Sequence, residues 1–103
     1  MTTLRELLNG KDFDWNSGKI IYHETERYPG WDNVTTGKII ESDNSILDLS
    51  FDAGYGGPEC PRFVADDKDK IYFPVQYDGA TWVEFIYKDI TIYLTEATPY
   101  PGG

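Results

Sequence analysis

The feature of this sequence that most constrains its fold is a pair of alternating segments in the C-terminal third. Residues 71–77 and 80–87 each repeat large apolar side chains at every second position, as strands do. The two residues between them are Asp78-Gly79, a strong short-range signal for a β-hairpin. Because Pro74 has no backbone N–H, the first strand is predicted to lie at a sheet edge or to carry a bulge.

Five further segments carry strand signals, namely β-branched and aromatic residues bounded by turn residues. They are residues 19–25, 34–41, 45–51, 62–65 and 90–94. In the third of them, Leu47, Leu49 and Phe51 occupy alternate positions, which predicts a half-buried strand. Residues 28–33 contain a Pro-Gly pair and predict a turn or short loop. The acidic segment 66–69 lacks the ligand spacing of a calcium loop and is predicted to be a solvated turn.

The N-terminus carries the one clear helix signal of the chain. Thr3 and Glu6 have the spacing of a capping box, in which each side chain bonds the other residue's free N–H. Leucines then follow with helical spacing, at Leu4, Leu7 and Leu8. Gly10 is expected to end the helix in a left-handed conformation. These signals predict a helix of about two turns that packs its leucines against the sheet.

Together the segments predict an α+β, mainly β fold within a single domain. A short N-terminal helix precedes six or seven antiparallel strands, which form a curled sheet or a small open barrel. The chain has 103 residues, and we assign residues 1–97 to this domain. Residues 98–103 are rich in proline and glycine and are expected to form a flexible tail.

The charge balance limits the partners that the protein can bind. Eighteen acidic residues against nine basic ones give a net charge of −9. Phosphate binding depends on Lys and Arg, so direct binding to nucleic acid is not expected, nor is binding to an anionic membrane. The charge favours solubility or a protein partner with a basic surface. With one cysteine, no signal-peptide pattern and no apolar run of membrane-spanning length, a cytoplasmic location is expected.

Few residues in the sequence suggest catalysis. Cys60 and His23 are the single cysteine and the single histidine, and no basic cluster or helix start adjoins Cys60 to activate it. The glycine-rich segment 52–61 lacks the Lys and Ser/Thr of a phosphate-binding loop. We therefore expect a non-enzyme with no metal and no cofactor.

Aromatic residues outside the expected core are the strongest functional signal. They make up 16% of the chain, and Tyr28, Trp31, Tyr55, Tyr72, Trp82 and Tyr93 are candidates for a contact surface or for closing the core edges. Where aromatic and acidic residues coincide near turns and the glycine-rich loop, we predict partner-binding residues: Tyr28, Trp31, Asp32, Asp52, Tyr55 and Glu59.

The sequence is thus most consistent with a non-catalytic protein-binding module. One specific form of this hypothesis is a small acidic inhibitor, of the kind that phages and mobile elements encode, acting on an enzyme that handles nucleic acid. Two alternatives remain at this point: an aromatic surface that binds a small molecule or a glycan, and a structural or assembly subunit that uses exposed strand edges. The oligomeric state does not follow from the sequence.

Overall fold

A computed structural model describes residues 1–28, 31–51, 60–77 and 80–99, with the backbone alone for residues 24–28 and 31–36. In this part of the chain the first element is the helix α1 (Leu4–Asn9). It is followed by five strands: β1 (Lys19–Tyr28), β2 (Trp31–Ile40), β3 (Arg62–Asp66), β4 (Lys70–Tyr77) and β5 (Ala80–Tyr87). Two short 3-10 helices, Ser45–Asp48 and Ile90–Leu94, complete the described elements.

The five strands form one antiparallel sheet in the order β2-β1-β3-β4-β5. The prediction of a mainly β fold with a short N-terminal helix is therefore confirmed. The prediction of six or seven strands and of a small barrel went further than the structure, since the sheet has five strands and does not close. Its two edges are β2 and β5.

The strand count was too high because two predicted strands are 3-10 helices. The side chain of Asn44 accepts a hydrogen bond from the N–H of Ile46, which starts the first 3-10 helix instead of a strand. Leu47 is fully buried whereas Leu49 is 60% exposed, so the alternation in this segment does not correspond to one buried face. Asp89 caps the second 3-10 helix in the same way, through the N–H of Thr91.

The hairpin β1–β2 is longer than its sequence pattern predicted. Tyr28 and Trp31 are paired strand residues, so the predicted turn over residues 28–33 is too wide; Pro29 and Gly30 lie outside the described residues. β3 pairs with β1 only from Lys19 to His23. Beyond His23, β1 and β2 pair with each other, and no third strand among the described residues pairs with them. We call this part, residues 24–28 and 31–36, the two-stranded arm.

The hairpin β4–β5 confirms the strongest sequence signal. Its register runs without interruption from Lys70 opposite Tyr87 to Tyr77 opposite Ala80. The connecting residues 78 and 79 lie outside the described part. β4 pairs with β3 only at Ile71 and Tyr72, so Pro74 lies where β4 has lost that neighbour, which suits a residue without an N–H.

The core lies between one face of the sheet and the elements α1 and Ser45–Asp48. Thr3 caps α1 by accepting a hydrogen bond from the N–H of Glu6 at 3.1 Å, which is one half of the predicted capping box. The other half does not form, since the Glu6 carboxylate accepts from the Thr2 hydroxyl at 3.3 Å. Gly10 is right-handed, with φ of −65°, contrary to prediction; the left-handed residue is Asp12, with φ of 59°. The buried core residues are Leu4, Leu8, Phe13, Ile20, Leu47, Phe51, Phe63, Ala65, Tyr72 and Val83.

A buried carboxylate joins the core to the turn before β4. Asp67 is buried rather than solvated, contrary to prediction. One of its oxygens accepts hydrogen bonds from the Tyr72 hydroxyl at 2.6 Å and the Asp14 N–H at 3.1 Å. The other accepts from the N–H groups of Asp69 and Lys70 at 3.0 and 2.9 Å. All four donors converge on one side chain, which fixes the link after α1 against the sheet.

This arrangement predicts a pH dependence of stability. Burial raises the pKa of Asp67, but the hydrogen bonds from Tyr72 and from three backbone N–H groups outweigh burial and hold it below its usual value. Because the folded pKa is depressed, the carboxylate stabilises the fold above its unfolded pKa of about 4 and loses that contribution as pH falls through the folded value.

We therefore expect urea unfolding to give a lower free energy of unfolding at pH 3 than at pH 7. The loss is expected to be smaller in an Asp67→Asn variant. An equal loss in the variant would show that other carboxylates carry the pH dependence.

Candidate interaction surface

On the face of the sheet opposite α1, strands β1, β2 and β3 carry exposed apolar side chains, whereas Val75 of β4 is buried. Along β3, Phe63 and Ala65 are buried in the core while Val64 between them points the other way. In β1, Ile20 is buried while Ile21 lies on the opposite side. We call the side that carries Ile21 and Val64 the open face.

Three aliphatic side chains form a row across the open face. The strand register places Ile21 directly opposite Ile39 on one side and Val64 on the other. Ile39 is 64% exposed, Val64 43% and Ile21 37%. Paired residues of this kind have Cβ atoms about 5 Å apart, so the three side chains adjoin. The solvent-facing side of an antiparallel sheet is usually polar, and this row, which we call the open-face row, departs from that pattern.

A glycine helps to make the row continuous. Gly37 lies opposite His23 in the register, and a Cβ at Gly37 would approach Ile21 Cγ2 to 2.7 Å and His23 Cε1 to 2.8 Å. The absence of a side chain at this position therefore leaves room for Ile21 and His23 to lie over β2. Substitution by a larger residue would displace Ile21 from the row.

Apolar and aromatic residues continue along the same face of β4 and β5. Ile71 pairs with Ile86, and Val75 pairs with Trp82. The Trp82 indole N–H donates a hydrogen bond to Glu84 at 2.9 Å, which holds the half-buried ring against the face. The open face thus combines exposed aliphatic residues with an anchored tryptophan, the residue types of protein contact surfaces.

Several charged side chains are paired within the fold. Arg5 binds both carboxylate oxygens of Asp48, at 2.7 and 3.2 Å, and this hydrogen bonding lowers the pKa of Asp48. Lys88 lies 3.2 Å from Asp66. Bonds from Ser17 and the Asn16 N–H lower the pKa of Asp14, so this carboxylate remains ionised within its own loop.

The structure places half of the predicted partner-binding residues at one location. Tyr28 and Trp31 are opposite each other where β1 and β2 approach their connection, and Asp32 pairs with Arg27 one position further along. For these residues the backbone alone is described. Asp52, Tyr55 and Glu59 lie outside the described residues, as do most of the glycine-rich segment and residues 100–103 of the predicted tail.

The wider set of candidate aromatic residues divides between core and surface. Tyr72 is fully buried, and its ring contacts Phe13 and Phe85 with centroids 5.1 and 5.8 Å apart. Tyr93 packs on Tyr87 and accepts a hydrogen bond from its N–H at 2.8 Å. Both therefore pack in the core or at its edge, which was the predicted alternative to a contact surface for these residues.

The open-face row was missed, although the sequence contains a signal for it. Ile20-Ile21 and Ile39-Ile40 are pairs of adjacent isoleucines, and consecutive residues of a strand point to opposite faces. One isoleucine of each pair must therefore leave the core.

No arrangement for nucleophilic or metal chemistry appears in the described part of the chain. Cys60 is half-buried, and burial raises the pKa of its thiol to about 11, the opposite of activation. Among these residues no cluster of three or more His, Cys, Asp or Glu side chains has the arrangement to hold a metal ion.

The state of Cys60 predicts its reactivity. At pH 8 a thiol with a pKa of about 11 is ionised roughly a hundredfold less than an ordinary cysteine with a pKa of about 9. We expect iodoacetamide to alkylate the native protein roughly 100-fold more slowly than it alkylates the chain in guanidinium chloride. Mass spectrometry follows the reaction, and a native rate within a few-fold of the unfolded rate would contradict the burial of the thiol.

Comparisons with protein-family models, with curated proteins and with solved structures gave no match. As for membranes, no helix within residues 1–28, 31–51, 60–77 and 80–99 has the length and apolar character needed to cross one.

Proposed function

We propose that this protein is a non-catalytic protein-binding module whose contact surface is the open face of its sheet. The observation that carries the proposal is the open-face row, in which Ile21, Ile39 and Val64 adjoin one another in solvent. Contiguous exposed apolar side chains are costly in water and characteristically mark interaction sites.

The partner is a protein with an apolar contact patch surrounded by basic side chains. Burial of the open-face row supplies the affinity, at about 25 cal/mol for each Å² of apolar surface removed from water. The net charge of −9 attracts a basic partner and repels a second copy of the chain. Charge complementarity therefore favours a different protein over self-association.

The two-stranded arm is proposed as a second contact element. It carries the predicted residues Tyr28, Trp31 and Asp32 on paired strand positions. β3 does not pair with this part of β1. Tyr and Trp are frequent at the centres of protein interfaces. Asp52, Tyr55 and Glu59 remain predicted contacts.

The inhibitor hypothesis makes a further demand on the acidic residues. If the protein occupies the basic groove of an enzyme that handles nucleic acid, exposed carboxylates must take the place of phosphates. Ion pairs such as those of Asp48 and Asp66 reduce the carboxylates free for this purpose. The hypothesis therefore depends on acidic residues of the arm and the glycine-rich segment, Asp32, Asp52 and Glu59 among them.

Site-directed photo-crosslinking tests the proposed surface. A benzophenone amino acid replaces Ile39 in one variant and Leu94 in a control; Leu94 is 85% exposed on the second 3-10 helix, away from the open face. In extract from the source cells, we expect a discrete adduct from position 39 that is absent from position 94. Equal labelling from both positions, or none from position 39, would contradict the proposal.

Light scattering supplies a complementary test of the occupant. We expect a monomer at high concentration. A dimer that dissociates when Ile39 is replaced by aspartate would instead assign the open face to a second copy of the chain.

A further inference from the structure

A pocket that contains no residue of the open-face row lies where two turns meet at the end of the β4–β5 hairpin. Its volume is about 370 Å³, and its lining consists of Lys68, Asp69, Lys70, Tyr87, Lys88, Asp89 and Ile92. The N–H of Lys88 donates to the carbonyl oxygen of Asp69 at 2.9 Å, which joins the turn before β4 to the turn after β5. The pocket is therefore part of the folded framework, and its volume falls within the range of small-molecule sites.

Basic side chains are concentrated in this pocket. Three of the nine Lys and Arg residues line it, against two acidic residues, in a chain with a net charge of −9. Lys88 is paired with Asp66 at 3.2 Å. Within the described residues neither Lys68 nor Lys70 has an ion-pair partner. Two ammonium groups in the pocket thus remain available to an anion.

Lys70 is held in place by aromatic rings. Its Nζ lies 4.5 Å from the ring centroid of Phe85 and 5.9 Å from that of Tyr72. Contact with ring faces attracts the cation and removes part of its water shell. An anion that binds this ammonium therefore meets a group that is already positioned and partly desolvated.

The two carboxylates that line the pocket differ in their hydrogen bonding. Asp89 accepts hydrogen bonds from the N–H and the hydroxyl of Thr91, at 3.1 and 2.6 Å, and so serves the second 3-10 helix. Asp69 is exposed, and its side chain has no hydrogen bond with another described residue. The remaining wall is apolar and is formed by Tyr87 and Ile92.

We propose that this pocket binds a small organic anion, a phosphate monoester or carboxylate attached to an aromatic or apolar body. The anionic group lies between the ammonium groups of Lys68 and Lys70, and the body lies against Tyr87 and Ile92. Ammonium–anion hydrogen bonds are stronger than neutral ones, and contact with the apolar wall adds burial. More distant carboxylates are screened at physiological ionic strength, where the Debye length is about 8 Å.

Nuclear magnetic resonance with phenyl phosphate tests this proposal. We expect saturable shifts in the backbone amides of residues 68–70 and 87–89, weaker binding of inorganic phosphate, and no saturable binding of phenol. A Lys70→Met variant keeps the apolar stem and removes the charge, and we expect it to weaken binding about tenfold. The Arg62→Met variant removes a charge outside the pocket and is expected to leave affinity within about twofold.

Two outcomes would overturn the proposal. One is the absence of saturable shifts at these amides at about 10 mM phenyl phosphate, a concentration at which even weak binding would be detected. The other is equal affinity of the native protein and the Lys70→Met variant. Should that variant fail to fold, as circular dichroism would reveal, Lys68→Met removes an exposed ammonium of the same pocket and takes its place.

Discussion

Replacing Asp67 with alanine is expected to lower the free energy of unfolding by about 3 kcal/mol. The substitution removes an acceptor that binds four donors, namely the Tyr72 hydroxyl and the N–H groups of Asp14, Asp69 and Lys70. Tyr72 is fully buried, so its hydroxyl would lose its partner away from water. An unsatisfied buried polar group costs about 1–3 kcal/mol, and the exposed turn residues recover part of their bonding from water.

Urea and thermal unfolding measure this effect, which corresponds to a decrease in Tm of roughly 15 °C for a domain of this size. Asp69→Ala is the matched control, because it removes a neighbouring aspartate whose side chain is exposed, and it is expected to change stability by less than about 0.5 kcal/mol. If the two variants lose equal stability, Asp67 is not the residue that joins the turn to the core.

The sequence revealed the β4–β5 hairpin because its determinants are local. Alternation over residues 71–77 and 80–87 requires only neighbouring positions, and the sequence pair Asp78-Gly79, which is typical of hairpins, lies between them. The role of Asp67 was hidden because its partner Asp14 is 53 residues away along the chain and because the hydroxyl of Tyr72 becomes buried only in the fold. A short acidic segment predicts a solvated turn until the fold brings buried donors to it.

The two 3-10 helices illustrate a different limit. Residues 45–51 and 90–94 have β-branched and alternating residues, but Asn44 and Asp89 bond the backbone two residues ahead and start a turn. In each case a single side-chain hydrogen bond favours a 3-10 helix over a strand. The periodicity of apolar residues does not show which of the two forms. The prediction of a contact surface had a similar limit. It selected aromatic residues, of which Tyr72 is buried in the core, and did not include the paired isoleucines Ile21 and Ile39.

A double substitution in the open-face row, Ile39→Thr with Val64→Thr, is expected to weaken partner binding at least tenfold. Apolar anchors at the centre of an interface each contribute about 1 kcal/mol or more, and the two losses together reach that factor. Threonine retains the branched Cβ that suits a strand, and both side chains are substantially exposed. The free energy of unfolding is therefore expected to change by less than about 1 kcal/mol.

Two matched variants separate this surface from its alternatives. Leu94→Thr removes an exposed aliphatic side chain from the second 3-10 helix and is expected to retain full affinity. Trp31→Ala probes the two-stranded arm, and partial loss of affinity there identifies the arm as the second contact. Loss on arm substitution with none on the row would place the interface on the arm instead.

The most direct measurement is isothermal titration calorimetry. The partner identified by photo-crosslinking is purified in its free form and titrated with the native protein and with these variants. The proposed surface predicts a Kd at least tenfold higher for Ile39→Thr with Val64→Thr and an unchanged Kd for Leu94→Thr. Equal affinities of the native protein and the double variant, with both proteins folded, would contradict binding through the open face.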